Sequence, residues 1–165
     1  MAQIQDPDKL FEHELGMALG AERKVLATLK KLERLAQRDE LKQQFHHHLE
    51  ETEGQIKNLE QAFQAIGSRA GGHEADSANG IAAEGEKLAE KVDEDLIDAV
   101  LLAAAAKTEH VEIAMYEGLI TKAEAMGADD VVALLEENLE QEKHTLEEVK
   151  EAAKRLSQEL ATQTA

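Results

Sequence analysis

The 165-residue sequence predicts an all-α fold, a four-helix bundle forming a single domain over 1–165, and three observations carry that expectation. Composition is the first: one proline, 2% aromatic residues, and an abundance of Ala, Leu, Glu, Lys and Gln, all strong helix formers. Periodicity is the second. Four long stretches place apolar residues at alternating spacings of three and four, which lines them along one side of a helix. The third is the rhythm of the connections, which run short, long and short.

Asp6-Pro7 marks the start of the first helix, expected over about 7–36. Asp is the capping residue, and Pro stands at the first helical position, where its missing N–H costs nothing. Phe11, Leu15, Ala18, Val25, Leu29 and Leu32 form the apolar seam of this helix. The pattern relaxes at Gln37-Arg38-Asp39. A second helix, expected over about 40–66, then carries Leu41, Phe45, Leu59, Ala62 and Ile66 up to Gly67, a natural C-terminal cap. Residues 68–80 are rich in Gly, Ser and Asp and read as loop, whereas Ile81 to Val92 is amphipathic and predicts a short extra helix. Asp93 or Asp95 is the expected cap of a third long helix over about 95–126, with Leu102, Ala106, Ile113, Ile120 and Ala123 on one face. Gly127 ends it. Asp129 opens a fourth over about 129–160, carrying Val131, Leu135, Leu139, Leu146, Val149, Ala153, Leu156 and Leu160, with fraying expected from Ala161 to Ala165.

The short first and last connections make each flanking helix pair an antiparallel hairpin. The connection at 67–94 is far longer than an interhelix turn and long enough to recross the bundle, which sets the third long helix parallel to the second. A single crossover of this kind, here carrying the short extra helix, is the ferritin-like arrangement.

Charge and motifs exclude several functions. Eighteen basic against 35 acidic residues leave a formal net charge of −17, which repels phosphate backbones and concentrates cations, so no nucleic-acid partner is expected. The absence of cysteine removes disulfide frameworks and thiolate metal sites. Residues 1–8 have neither a basic nor an apolar segment of the secretory type, and the longest apolar run, 99–106, is too short to span a bilayer. A cytoplasmic protein with no membrane partner is the simplest expectation. Neither a Gly-rich phosphate loop nor a nucleophile elbow occurs.

The apolar seams are each interrupted near mid-helix. Continued through every turn, they bring Glu22 inward on the first helix, and His48, Thr52 and Gln55 on the second. On the third they bring Glu109 and Tyr116 inward, and on the fourth Glu142. Measured from the hairpin turns, Glu22 and the His48 to Thr52 region lie at matching depth, and Glu109 and Glu142 lie within about a helical turn of each other. Glu51 and Glu112 stand three residues after His48 and Glu109, a spacing that aims two side chains at one spot. Ionised carboxylates gathered in a low-dielectric core are strongly unfavourable unless protonated or ligating cations. Wet boundary positions or interhelical ion pairs would account for any one of them; their convergence at one level points to metal. His46 and His47 splay off the seam and are expected in solvent, whereas His110 and His144 adjoin seam acids but point off the seam, either as outer partners of the ligands or as surface residues. His13 and His73 follow no pattern. Tyr116 needs a hydrogen-bond partner if buried.

Several blocks together resemble the bacterial YciE/YciF ferritin-like family. They are Leu10-Phe11 with Ala21-Glu22-Arg23-Lys24, His48-Leu-Glu-Glu51-Thr52-Glu-Gly-Gln55, Lys107-Thr-Glu109-His110-Val-Glu112 through Tyr116, and Leu134-Leu135 through Glu142-Lys143. The resemblance covers nearly the whole chain and implies a ferritin-like bundle, a homodimer, and a link to bacterial stress responses with no firmly assigned activity. One departure from the wider ferritin-like pattern stands out. Carboxylate-bridged di-iron bundles carry Glu-x-x-His on two helices, and this chain has none; it has His48-x-x-Glu51 and Glu109-x-x-Glu112 instead. The expected metal ligands are Glu22, His48, Glu51, Glu109, Glu112 and Glu142, and a set of mostly carboxylates with one imidazole suits a dinuclear Fe or Mn centre, with Zn as a further candidate. Iron oxidation by O₂ or peroxide is the corresponding activity. The alternative is a metal-free acidic bundle serving as a structural or protein-interaction module, its buried acids protonated or bonded to Thr52, Gln55 and Tyr116.

Overall fold

The computed structural model describes residues 3–163. Four long helices, α1 (Pro7–Leu35), α2 (Asp39–Ala65), α4 (Ile97–Ala125) and α5 (Asp129–Gln163), form the bundle, and a shorter α3 (Asp76–Ala89) lies in the crossover. A single 3₁₀ turn, Glu94–Leu96, precedes α4. No helix among the described residues is long and apolar enough to cross a membrane.

Local chemistry accounts for the helix ends. The Asp6 carboxylate accepts from the N–H of Asp8 at 3.0 Å, with Pro7 beginning the helix. Gly67 and Gly127 have φ of 70° and 66°, the left-handed conformation that closes a helix with paired bonds back to the last turn. Those bonds are Ser68 N to Phe63 O at 2.9 Å and Gly67 N to Gln64 O at 3.0 Å, and likewise Ala128 N to Ala123 O and Gly127 N to Glu124 O, both at 3.0 Å. The α1–α2 turn is held differently. Asp98 of α4 is buried and accepts from the N–H groups of Gln37 at 2.8 Å and Arg38 at 3.1 Å, capping α2 from across the bundle. Asp98→Ala is expected to cost about 1–3 kcal/mol, because it leaves two part-buried backbone donors without their acceptor. Urea unfolding with an unchanged m-value would record it, and a loss within error of zero would show that water replaces the carboxylate.

The core divides into two apolar clusters. One gathers Phe11 and Leu15 of α1, Leu59 and Phe63 of α2, Leu119 and Ala123 of α4, and Val131 and Leu135 of α5. The other gathers Val25 and Leu29, Leu41 and Phe45, Leu101 and Ala105, and Val149 and Leu156. The C-terminal parts of α2 and α4 thus share one end with the start of α1 and of α5. Hence α2 and α4 run parallel, and the order is up, down, down, up. This is the ferritin-like topology. On every helix the buried glutamates or His48 fall in the sequence gap between the two clusters, and Tyr116 stands at the edge of the first.

The crossover returns along α1. His73 donates its N–H to the carbonyl of Gly16 at 2.9 Å, and a Cβ at Gly20 would collide with the carbonyl oxygen of His73. Glycine at 20 is therefore a requirement of this close approach. His13 and His73, which follow no pattern in the sequence, stack with ring centroids 4.5 Å apart.

Four details differ from the expectations. The extra helix begins at Asp76 and ends at Ala89, not at Ile81 and Val92, because Ala75 and Ala78 find a small cluster with Ala21 on which to pack. The third long helix begins at Ile97, its expected capping aspartates lying in and before the 3₁₀ turn. On that helix Ala105, Glu112 and Leu119 are buried, whereas Ala106 and Ile113 are half-buried, because α3 covers a second side of α4 and turns it. At the C-terminus α5 continues through residue 163 where fraying was expected, and Thr164 and Ala165 lie outside the described residues.

Candidate metal centre

Between the two apolar clusters every long helix contributes a buried polar side chain. Glu22 comes from α1, His48, Thr52 and Gln55 from α2, Glu109, Glu112 and Tyr116 from α4, and Asn138, Glu142 and Thr145 from α5. The helical spacing explains the convergence, since residues three and four apart share a face and the bundle turns those faces inward.

His48, Glu109, Glu112 and Glu142 each present one ligand atom, and these atoms all lie within 4.8 Å of one another. The four residues are between 0 and 5% exposed. His48 Nδ1 lies 3.6 Å from Glu109 Oε1 and its Nε2 lies 3.8 Å from Glu142 Oε2, both too long for hydrogen bonds, so one ring nitrogen faces each carboxylate. Glu22 is equally buried but stands outside this group of four. Its Oε1 accepts from the Tyr116 hydroxyl, whose oxygen in turn accepts from Asn138 Nδ2 at 3.1 Å. Asn138 also takes a bond from Asn58 Nδ2 at 2.8 Å, so α1, α2, α4 and α5 are tied through one network. Glu51 is half-buried at the margin. It pairs with His47 Nε2 at 3.5 Å and lies 3.4 Å from Thr145 Oγ1.

Electrostatics sharpens the picture. Burial, followed by the charge of Glu142, holds the Glu22 and Glu109 carboxyls well above the ordinary carboxylate range; for Glu22 the Tyr116 bond opposes this. Burial and then the charges of Glu22 and Glu142 do the same to Glu112. Burial, with Glu22 next, pushes the Tyr116 hydroxyl above its usual value, so it stays protonated and keeps donating. Among the described residues no Lys or Arg pairs with Glu22, Glu109, Glu112 or Glu142. Six of their oxygens (Glu22 Oε2, Glu109 Oε2, both of Glu112 and both of Glu142) find no hydrogen-bond partner, and neither does His48 Nε2. Acceptors left unmet at this density are costly, and divalent cations satisfy several at once. The donor set therefore fits a metal.

Of the residues expected as ligands, the fold brings His48, Glu109, Glu112 and Glu142 together, keeps Glu22 beside them, and leaves Glu51 at the edge. His46, His47 and His144 are exposed and pair with Glu33, Glu51 and Glu148, away from the four. His110 is exposed as well. Asn138 and Thr145 went unnoticed in the sequence. Their signal is their spacing from Glu142, four before and three after, the same rule that singled out Glu51 and Glu112.

Comparison with known proteins agrees with this architecture. The family described as a domain of unknown function (DUF892) matches residues 6–162. Protein YciF of Escherichia coli strain K12 is 37% identical over 147 residues, covering 88% of this chain and 87% of that protein. The crystal structure of the E. coli stress protein YciF superposes with a TM-score of 0.89 at 33% identity, over 94% of this chain and 99% of that one. YcfI from Rhodopseudomonas palustris superposes with a TM-score of 0.87 at 34% identity, over 90% and 95%.

Proposed function

The chain belongs to the DUF892 family, and we propose that it is a stress-associated metal protein whose bundle holds a pair of Fe or Mn ions between its two apolar clusters. The observation that carries this reading is the set of four buried ligand atoms within 4.8 Å of one another. His48, Glu109, Glu112 and Glu142 would hold metal directly, with Glu22 and Glu51 completing the set. The charge balance favours a pair: four fully buried glutamates, Glu22, Glu109, Glu112 and Glu142, match two divalent cations. When bound, two Fe(II) ions would each give one electron to O₂, which takes up two protons and leaves as H₂O₂.

The chain's own groups serve that chemistry in distinct ways. Tyr116 holds its proton on Glu22 Oε1 and fixes that carboxylate's rotamer. Asn138 orients the Tyr116 hydroxyl from the other side. The apolar clusters on either side exclude water and so strengthen every charge interaction in the layer. The acidic exterior raises the local concentration of cations.

Anaerobic titration of the chelator-stripped chain with Fe(II) tests this. About two ions per chain should bind with a rise in melting temperature, followed on exposure to air by the absorption of Fe(III). Less than about a tenth of an ion per chain, with no spectral change, would leave the metal-free structural role instead.

A further inference from the structure

One cavity leads from the surface to the metal-ligand cluster. It lies between α1, α3 and α4, has a volume of about 60 Å³, and includes His48 and Glu109 among its walls. Elsewhere its walls are mostly apolar; Lys24, Thr28 and Thr108 also line it, and both threonine hydroxyls donate to carbonyls of their own helices. Val25 and Leu29 come from α1, Leu101 and Ala105 from α4, and α3 supplies the roof with Ile81 and Ala82. At the mouth the exposed Lys31 and Glu86 form an ion pair at 2.9 Å across α1 and α3.

The crossover helix makes this space. Most of its inward residues, Ala78, Ala82, Gly85 and Ala89, are small, and it approaches α4 closely enough that a Cβ at Gly85 would stand 3.2 Å from the Cβ of Ala104. Backbones that close, carrying alanine and glycine, leave a narrow void where larger side chains would fill it. A hydrated ion or a peroxide entering such walls would shed water with few polar groups to replace it short of His48 and Glu109, whereas an apolar molecule loses little. Dry apolar cavities of roughly 150 Å³ accommodate benzene or xenon, so this smaller one suits a molecule of two or a few heavy atoms.

Building on the metal reading, we propose that this cavity is the binding site and entry route for dioxygen to the centre. Xenon, an apolar atom of suitable size, probes the cavity without any metal. In the metal-free chain it should perturb the amide resonances of Leu29, Ala82 and Ala105, and the perturbation should vanish in Ala82→Leu, which fills the roof. Ala105→Leu fills the deeper wall and serves as a second variant should the first misfold. In Fe(II)-loaded protein the same variants should bind iron as before. Their oxidation by air should slow several-fold, while oxidation by hydrogen peroxide keeps its rate. Absence of xenon from the cavity, or air oxidation at the wild-type rate in a filled variant, overturns the proposal. Should xenon bind where Fe(II) does not, the metal reading falls while the apolar site stands.

Discussion

Glu112→Gln should stabilise the metal-free protein and abolish most of its response to metal. The two effects have one cause. Glu112 is fully buried, neither of its oxygens has a hydrogen-bond partner, and burial together with the charges of Glu22 and Glu142 opposes its ionisation. A neutral amide of the same shape removes that opposition. At pH 7.5 the metal-free variant should gain about 1–3 kcal/mol, since each unit by which a carboxyl is displaced upward costs about 1.4 kcal/mol once it must ionise. With Fe(II) or Mn(II) the sign reverses. An amide is a poor ligand for either ion, and affinity should fall at least about 100-fold. Thermal melts with and without metal, alongside calorimetric titration, separate the two effects. A variant that loses stability equally in both conditions would make Glu112 a structural acid and count against the centre.

Why Glu112 could be singled out from sequence, and Asn138 could not, shows what helical periodicity carries. A seam read at alternating three and four residues follows one column of side chains, and a bundle helix buries a wider stripe than that. On α1 the column of Phe11, Leu15, Ala18, Glu22, Val25 and Leu29 is all buried, and the buried neighbours it leaves out, Gly16, Leu19 and Ala21, are apolar, so no polar residue is missed. On α5 both Asn138 and Leu139 are buried, and so are Thr145 and Leu146, so the single column found Glu142 and missed its polar neighbours. α4 is harder still. Leu101 and Leu102 are both inside because α3 covers one side of the helix and the bundle the other, and a helix apolar on two sides has no unique seam. The topology was readable from connection lengths, and the caps from Asp6-Pro7, Gly67 and Gly127. Asp98 was not, since its partners are backbone N–H groups some 60 residues away, at Gln37 and Arg38. Nothing local marks an acid that caps another helix. The same limit hid the cavity, which exists only because α3 packs across α1 and α4.

The metal-free chain should lose stability as pH rises from about 5 to 8, opposite to the behaviour of a protein held by surface ion pairs. The folded-state pKa values of Glu22, Glu109 and Glu112 lie well above the ordinary carboxyl value of 4.5. Above that value the unfolded chain has released these protons and the folded chain retains them. The native state then binds more protons than the unfolded one, and stability falls by about 1.4 kcal/mol per pH unit for each proton retained. Their contribution is complete below the unfolded value and disappears as pH passes the folded values. Glu12, Glu86 and Glu159 are shifted the other way by hydrogen bonds to Lys9, Lys31 and Arg38, but they are exposed, and their contribution fades only as pH falls below the ordinary carboxyl range. They therefore leave the window from 5 to 8 to the buried acids. Bound metal changes the slope. Ligation requires the carboxylates deprotonated, so binding releases protons and strengthens with pH. Melting temperatures of chelator-treated and Mn(II)-loaded protein should therefore diverge across this range, the first falling and the second holding or rising. A chelator-treated chain whose melting temperature rises from pH 5 to 8 would mean that the buried acids have already lost their protons to partners within the bundle, and that no cation is needed to keep them there.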